Sequence, residues 1–145
     1  MSKRCGMDNK LELNLDGTLV TLQIEDYKKR DWCNCTMRVH SDFISYDLCD
    51  DETFESDEID IMITWFKKLL SGEIEEIEEL EFTEPFVEFQ LYPATEDCDV
   101  SADWRFCLWY DEETRKQVFT NNYLILDMDR DDIEMLVKYL ESLSD

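Results

Sequence analysis

Leu11, Leu13 and Leu15 alternate with polar residues, and after Asp16-Gly17 the apolar positions resume through Leu19, Val20, Leu22 and Ile24. A period of two on both sides of an Asp-Gly pair predicts a β-hairpin. The alternation returns after the polar cluster Lys28-Lys29-Arg30-Asp31. Cys33, Cys35, Met37 and Val39 share one face, and Asn34, Thr36, Arg38 and His40 the other. Ser41-Asp42 turns the chain, Phe43 to Cys49 reads as a fourth strand, and Asp50 to Glu55 reads as an acidic loop. The period then changes. Ile59, Met62, Ile63, Phe66, Leu69 and Leu70 fall at the i, i+3, i+4, i+7 positions of one helical face. Ser56 is the candidate N-cap, Asp57 and Glu58 suit the positive end of the helix dipole, and Gly72 can end the helix.

Beyond Gly72, Ile74, Ile77 and Leu80 recur every three residues, consistent with a further helical turn or an irregular connection. From Leu80 the period is closer to two, with Leu80 and Phe82 opposite Glu79 and Glu81. After Pro85, Val87, Phe89 and Leu91 oppose Glu88 and Gln90. Thr95 to Asp103 reads as a loop. Trp104, Phe106, Leu108 and Tyr110 alternate with Arg105, Cys107 and Trp109, so both faces carry apolar groups, as in a covered central strand. Asp111 to Thr114 is a turn and Val118 to Met128 the last strand. Asp129 caps a final helix whose stripe is Ile133, Leu136, Val137, Leu140 and Leu143. Four strands, a helix, four strands and a helix predict an α+β fold. It is a mainly antiparallel meander of about eight strands with two packed helices. Residues 1–9 read as a frayed N-terminus and 10–145 as a single domain. The two strand-rich halves each end in a helix, without a convincing internal repeat.

Composition sharpens this picture. The chain has 145 residues, 37 acids against 14 bases and a net charge of -23. Such charge with few aromatics would signal disorder, but eight Phe, six Tyr and four Trp can build a core. The negative field repels phosphate and anionic headgroups, which argues against direct nucleic-acid or membrane-surface binding and for a basic partner or plain solubility. The N-terminus has no apolar run of signal-peptide type, and no segment is long and apolar enough to span a bilayer. The expected compartment is the cytoplasm, where Cys5, Cys33, Cys35, Cys49, Cys98 and Cys107 would stay reduced.

Little of the polar inventory points to a reaction. His40 is the single histidine and sits at a turn beside Ser41 and Asp42, an unpromising place for a general base. Cys33-x-Cys35 is half of a zinc frame without the second spaced pair and reads as core. Asp127-x-Asp129-x-Asp131 resembles the start of a calcium loop, but the glycine and glutamate that loop needs are Asp132 and Lys138 here. With three glycines no phosphate-cradling loop is evident, and among 37 acids some carboxylate pair is guaranteed. The expectation is a protein with no catalytic residues, metal or cofactor.

What stands out is a density of acid: eight of the sixteen residues from Glu73 to Glu88 are glutamate. Glu75, Glu76, Glu78, Glu79, Glu81 and Glu88 read as the solvent face of two strands and as the candidate partner-binding set, with acids steering a basic partner and aromatics anchoring it. The bland reading is a solvated strand surface. Trp65 flanks the first helix stripe and reads as core.

Four stretches carry a family resemblance: DWCNCTMRV (31–39), HSDFISYDL (40–48), DEIDIMITWFKKLLSG (57–72) and YLILDMDRDDIEMLVKYLESL (123–143). In their order and spacing the chain resembles small acidic bacterial immunity proteins of the WapI type, partners of polymorphic contact-delivered toxins, over most of residues 10–144. The resemblance implies a sheet with packed helices and a non-catalytic protein that binds and neutralises a cognate toxin; the carboxylates would match a basic toxin, such as a nuclease whose cleft attracts phosphate. It carries no catalytic residues, and no binding residues transfer with it. An acidic adaptor or regulatory subunit with some other basic partner is the alternative.

Overall fold

The computed structural model describes residues 10–25, 27, 31–42, 44–83, 87–107, 110–111, 116–117 and 123–143, with the backbone alone at 49–52, 107, 110–111, 116–117 and 123. The expectations for residues 1–9, the basic cluster 28–30 and Trp109 lie outside the described residues.

The first half is an antiparallel meander of β1 (Leu11–Leu15), β2 (Thr18–Glu25), β3 (Trp32–His40) and β4 (Ser45–Glu55), in that spatial order. Asp16 and Gly17 both take positive φ, 56° and 91°, which is the backbone a two-residue hairpin matched to strand twist requires. Register aligns the apolar faces into rows: Leu11, Leu22, Met37 and Leu48 form one, and Leu13, Val20, Val39 and Tyr46 the next. Cys33 and Cys35 lie fully buried on this face. The expected acidic loop from Asp50 to Glu55 is instead the second half of β4, carried past two register shifts opposite Cys33–Met37. Such irregularities break the alternation that marks a strand in sequence.

Helix α1 (Ser56–Ser71) follows directly. Its N-cap is Glu55, not Ser56. The Ser56 hydroxyl donates to the Asp31 carbonyl at 2.8 Å and accepts from the Asp31 amide at 3.2 Å, while the Glu58 carboxylate reaches back to the Glu55 amide at 3.0 Å. The serine thus ties the helix to the start of β3, and the acid does the capping. Ile59, Met62, Phe66 and Leu69 are buried, with Ile63 and Leu70 packed against the core edge. Gly72, at φ 83°, ends the helix in the left-handed conformation.

The second half repeats the plan. β5 (Glu78–Leu80), β6 (Val87–Tyr92), β7 (Ser101–Cys107) and β10 (Tyr123–Met128) form a second four-stranded antiparallel sheet. A small ribbon of β8 (Tyr110–Asp111) and β9 (Lys116–Gln117) lies between β7 and β10 in the chain. Helix α2 (Arg130–Ser142) follows β10, capped by Asp129, whose side chain accepts from the Asp132 amide at 3.0 Å. Each half is therefore a four-stranded meander leading through an acidic cap into a helix, a correspondence of topology that the residues do not display. Two expected boundaries move. β7 begins at Ser101, inside the expected loop, because Ser101 and Asp103 pair with Tyr92 and Gln90. The expected last strand is ordered as β10 from Tyr123, and its first five residues lie outside the described ones.

One core joins the halves. Helix α1 packs on α2, β4 and β6, and α2 packs on β1, β7 and β10, so each helix bridges both sheets. Edge-on, tilted and stacked ring pairs link Phe66, Phe89, Trp104 and Phe106 in sequence. Phe82 bridges Phe54 of the first sheet to Phe89 of the second, at 5.1 Å and 6.1 Å between centroids. Such ring pairs add to area burial through their quadrupoles.

Candidate functional site

After Gly72 the chain reverses and residues 73–77 run beside the last turns of α1. Ile74 is buried and pins this segment down, whereas Ile77 is 55% exposed, so the period-three pattern marks an irregular connection and not another helical turn. The reversal places Glu73, Glu75, Glu76 and Glu78 around Trp65 and Lys68 in a shallow concavity of about 280 Å³. The Lys68 ammonium stands over the half-buried Trp65 ring, 5.0 Å from its centroid. Glu73 accepts a hydrogen bond from Ser71 at 2.6 Å. Four glutamates and one lysine thus line the same concavity.

The six candidate glutamates do not form one surface. Glu75, Glu76 and Glu78 meet in the concavity. Glu78 stands opposite Leu91 in register and on the same side of β5 as buried Leu80, so it lies at the margin of the inner face and not on the solvent face. Glu79 points to the outer face, opposite Gln90. Glu81 is exposed just beyond the end of β5. Glu88, on the outer face of β6, is tied to Arg105 at 3.4 Å.

That outer face is a second acidic surface. Register places Glu79, Gln90, Asp103 and Asp127 in one row across β5, β6, β7 and β10, and Glu88, Arg105 and the half-exposed Ile125 in the next. Arg105 sits at the centre, hydrogen-bonded to Gln90 and Glu88 with Asp103 at 3.9 Å. Asp103 also accepts from the Tyr92 hydroxyl at 2.8 Å, and burial followed by that bond raises the phenol pKa. Burial, then the charge of Asp103, raises the carboxyl pKa of Asp127. In the sequence Arg105 reads as a polar position between apolar ones, Asp103 as the end of a loop and Asp127 as the start of an incomplete calcium-loop pattern. Their convergence needs the strand order.

His40 has a more suggestive setting than its turn position implies. Its Nε2 lies 2.8 Å from Asp47 and its Nδ1 3.1 Å from the Ser45 hydroxyl. The three side-chain types of a nucleophilic triad are thus in line. They stand exposed on the outer face of the first sheet, where water competes for every bond, and catalysis through them requires a sheltered substrate seat. The arrangement reads as a cross-strand polar cluster. No group of three or more metal-ligating side chains occurs among the described residues.

The profile of the immunity protein WapI-like family matches residues 10–145, nearly the entire chain and both halves of the fold. The chain belongs to the immunity protein WapI-like family. No curated protein and no solved structure matches it. Membership accords with an α+β fold whose polar residues gather on surfaces and at helix caps, and with a chain in which no described helix is long and apolar enough to cross a membrane.

Proposed function

We propose that this protein is an immunity protein that binds and neutralises a cognate bacterial toxin domain without catalysis of its own. The carrying observation is the family match over residues 10–145. The charge supports a basic toxin: a net charge of -23 generates a long-range field that draws in a positive partner, and a nuclease, whose cleft attracts phosphate, has the complementary surface. Glu75, Glu76, Glu78, Glu79 and Glu81 lie on or beside β5 and would present carboxylates toward such a partner. Glu88 is the weakest of the set, because its charge is already shared with Arg105. Action at a protein surface in the cytoplasm, with no cofactor and no direct contact to nucleic acid or membrane, completes the reading.

The test is co-expression with the C-terminal domain of the protein encoded immediately upstream, which the immunity reading expects to be a large secreted toxin. Protection of cells from that domain and co-purification of the two chains are the expected results. An adjacent operon of metabolic enzymes, with capture of a basic subunit from it, would replace the immunity reading with the acidic-adaptor one, which the surface charge alone serves equally well.

A further inference from the structure

The Trp65 concavity has an unusual occupancy: the chain's own ammonium is in it. Lys68 stands over the indole at 5.0 Å, one helical turn after Trp65, so the ring face already takes a cation. Among the described residues no carboxylate pairs with Lys68, in contrast to its neighbour Lys67, which bonds Glu141 at 2.9 Å. Glu75, Glu76 and Glu78, which line the same concavity, likewise have no cationic partner among the described residues. An aromatic face, an apolar floor from Ile74 and three uncompensated carboxylates thus enclose one loosely held lysine.

We propose that this concavity is the seat for an arginine side chain projected by the basic partner, and that Lys68 fills it in the free protein and is displaced on binding. The inference rests on the toxin-binding reading and names the chemistry of its contact. Arginine fits better than lysine on general grounds. A guanidinium is planar, stacks on an indole and donates in a fork to carboxylates, whereas an ammonium is a compact, strongly hydrated point charge. The surroundings suit an anchor. Ile61, one turn before Trp65 on α1, is 47% exposed, and Ile77 is exposed on the adjoining segment. Apolar side chains around a buried arginine exclude water and strengthen its ion pairs, the arrangement found at energetic centres of protein interfaces.

The experiment is calorimetric titration of the purified C-terminal domain of the upstream gene's product, the toxin domain in the immunity reading, into wild type and four variants. Trp65→Leu and the triple variant Glu75→Gln/Glu76→Gln/Glu78→Gln should each weaken binding by about tenfold or more, as loss of an interface anchor does. Lys68→Ala should tighten binding, because it removes the internal competitor. Lys138→Ala, an exposed position on α2, controls for the change in net charge and should tighten it less. Far-UV circular dichroism checks the fold of each variant, and if Trp65→Leu is not folded the glutamine variant decides. Wild-type affinity in the glutamine variant, or equal effects of Lys68→Ala and Lys138→Ala, would overturn the arginine seat while leaving toxin binding intact. Failure of wild type to bind the toxin domain removes the immunity reading and the seat together.

Discussion

The Tyr139 hydroxyl of α2 accepts a hydrogen bond from the Ile24 backbone amide of β2 at 2.8 Å. The last β1–β2 pair at that end is Leu11 with Leu22, so Ile24 lies beyond the reach of β1. A side chain 115 residues later in the chain thus satisfies a strand donor that the neighbouring strand cannot. The bond couples the last helix to the first sheet.

Tyr139→Phe should destabilise the protein by about 1–3 kcal/mol, the cost of leaving a buried amide unpaired. Burial holds the Tyr139 phenol up at about 12 against an ordinary 10.0. Below pH 10 both folded and unfolded states keep the proton. Between 10 and about 12 only the unfolded state loses it, so stability falls as pH rises through that window. Urea midpoints of wild type and Tyr139→Phe over pH 8–11.5 check both statements. A midpoint for Tyr139→Phe equal to wild type at pH 8 would contradict the first.

Phe66 is completely buried on α1 and meets Phe89 of β6 edge-on at 5.1 Å. Phe66→Ala should cost about 3–5 kcal/mol, as other large-to-small aromatic changes in cores do. A loss below about 1 kcal/mol in denaturant unfolding would mean that the helix does not hold this position.

Acid should first stabilise and then destabilise. Burial raises the pKa of both Asp127 and Asp132 above the ordinary carboxylate value of 3.8, so as pH falls toward 3.8 the folded state takes up protons first and gains stability. Arg130 grips Asp99 with bonds of 2.8 and 2.9 Å and holds its carboxyl down at about 2, so below 3.8 the unfolded state takes up that proton first and stability is lost. Relief of the -23 charge adds to the first effect. The urea midpoint should therefore peak in the mildly acidic range, above pH 3.8, and a monotonic decline from pH 7 would contradict this.

Charge reversal along β5 should act on association and spare the fold. Glu79→Lys/Glu81→Lys changes only exposed positions on or beside β5, outside the Trp65 concavity, and relieves local repulsion. Stopped-flow mixing with the toxin domain should show a slower on-rate, most clearly near 0.01 M salt, where attraction reaches across about 30 Å, and a smaller change in off-rate. Equal on-rates at every ionic strength would return this stretch to a solvated strand surface.

Much of the fold was legible because local rules govern it. Alternation with Asp16-Gly17 marks the first hairpin, the stripes from Ile59 to Leu69 and Ile133 to Leu140 mark the helices, and Asp129 marks its own cap. These signals need only neighbouring residues. Local rules misread Ser56, whose hydroxyl is claimed by Asp31, 25 positions away, and the stretch before Glu55, where register shifts let a strand continue without alternating. The glutamates show the same division. Sequence alone determined that the stretch 73–88 is dense in glutamate. Only the tertiary structure decided that Glu75, Glu76 and Glu78 gather beside Trp65, that Glu79 joins a row with Asp103 and Asp127, and that Glu88 is neutralised by Arg105. Charge density is a property of composition, but which charges face one another depends on where a chain reversal at Gly72 and the order of four strands bring them.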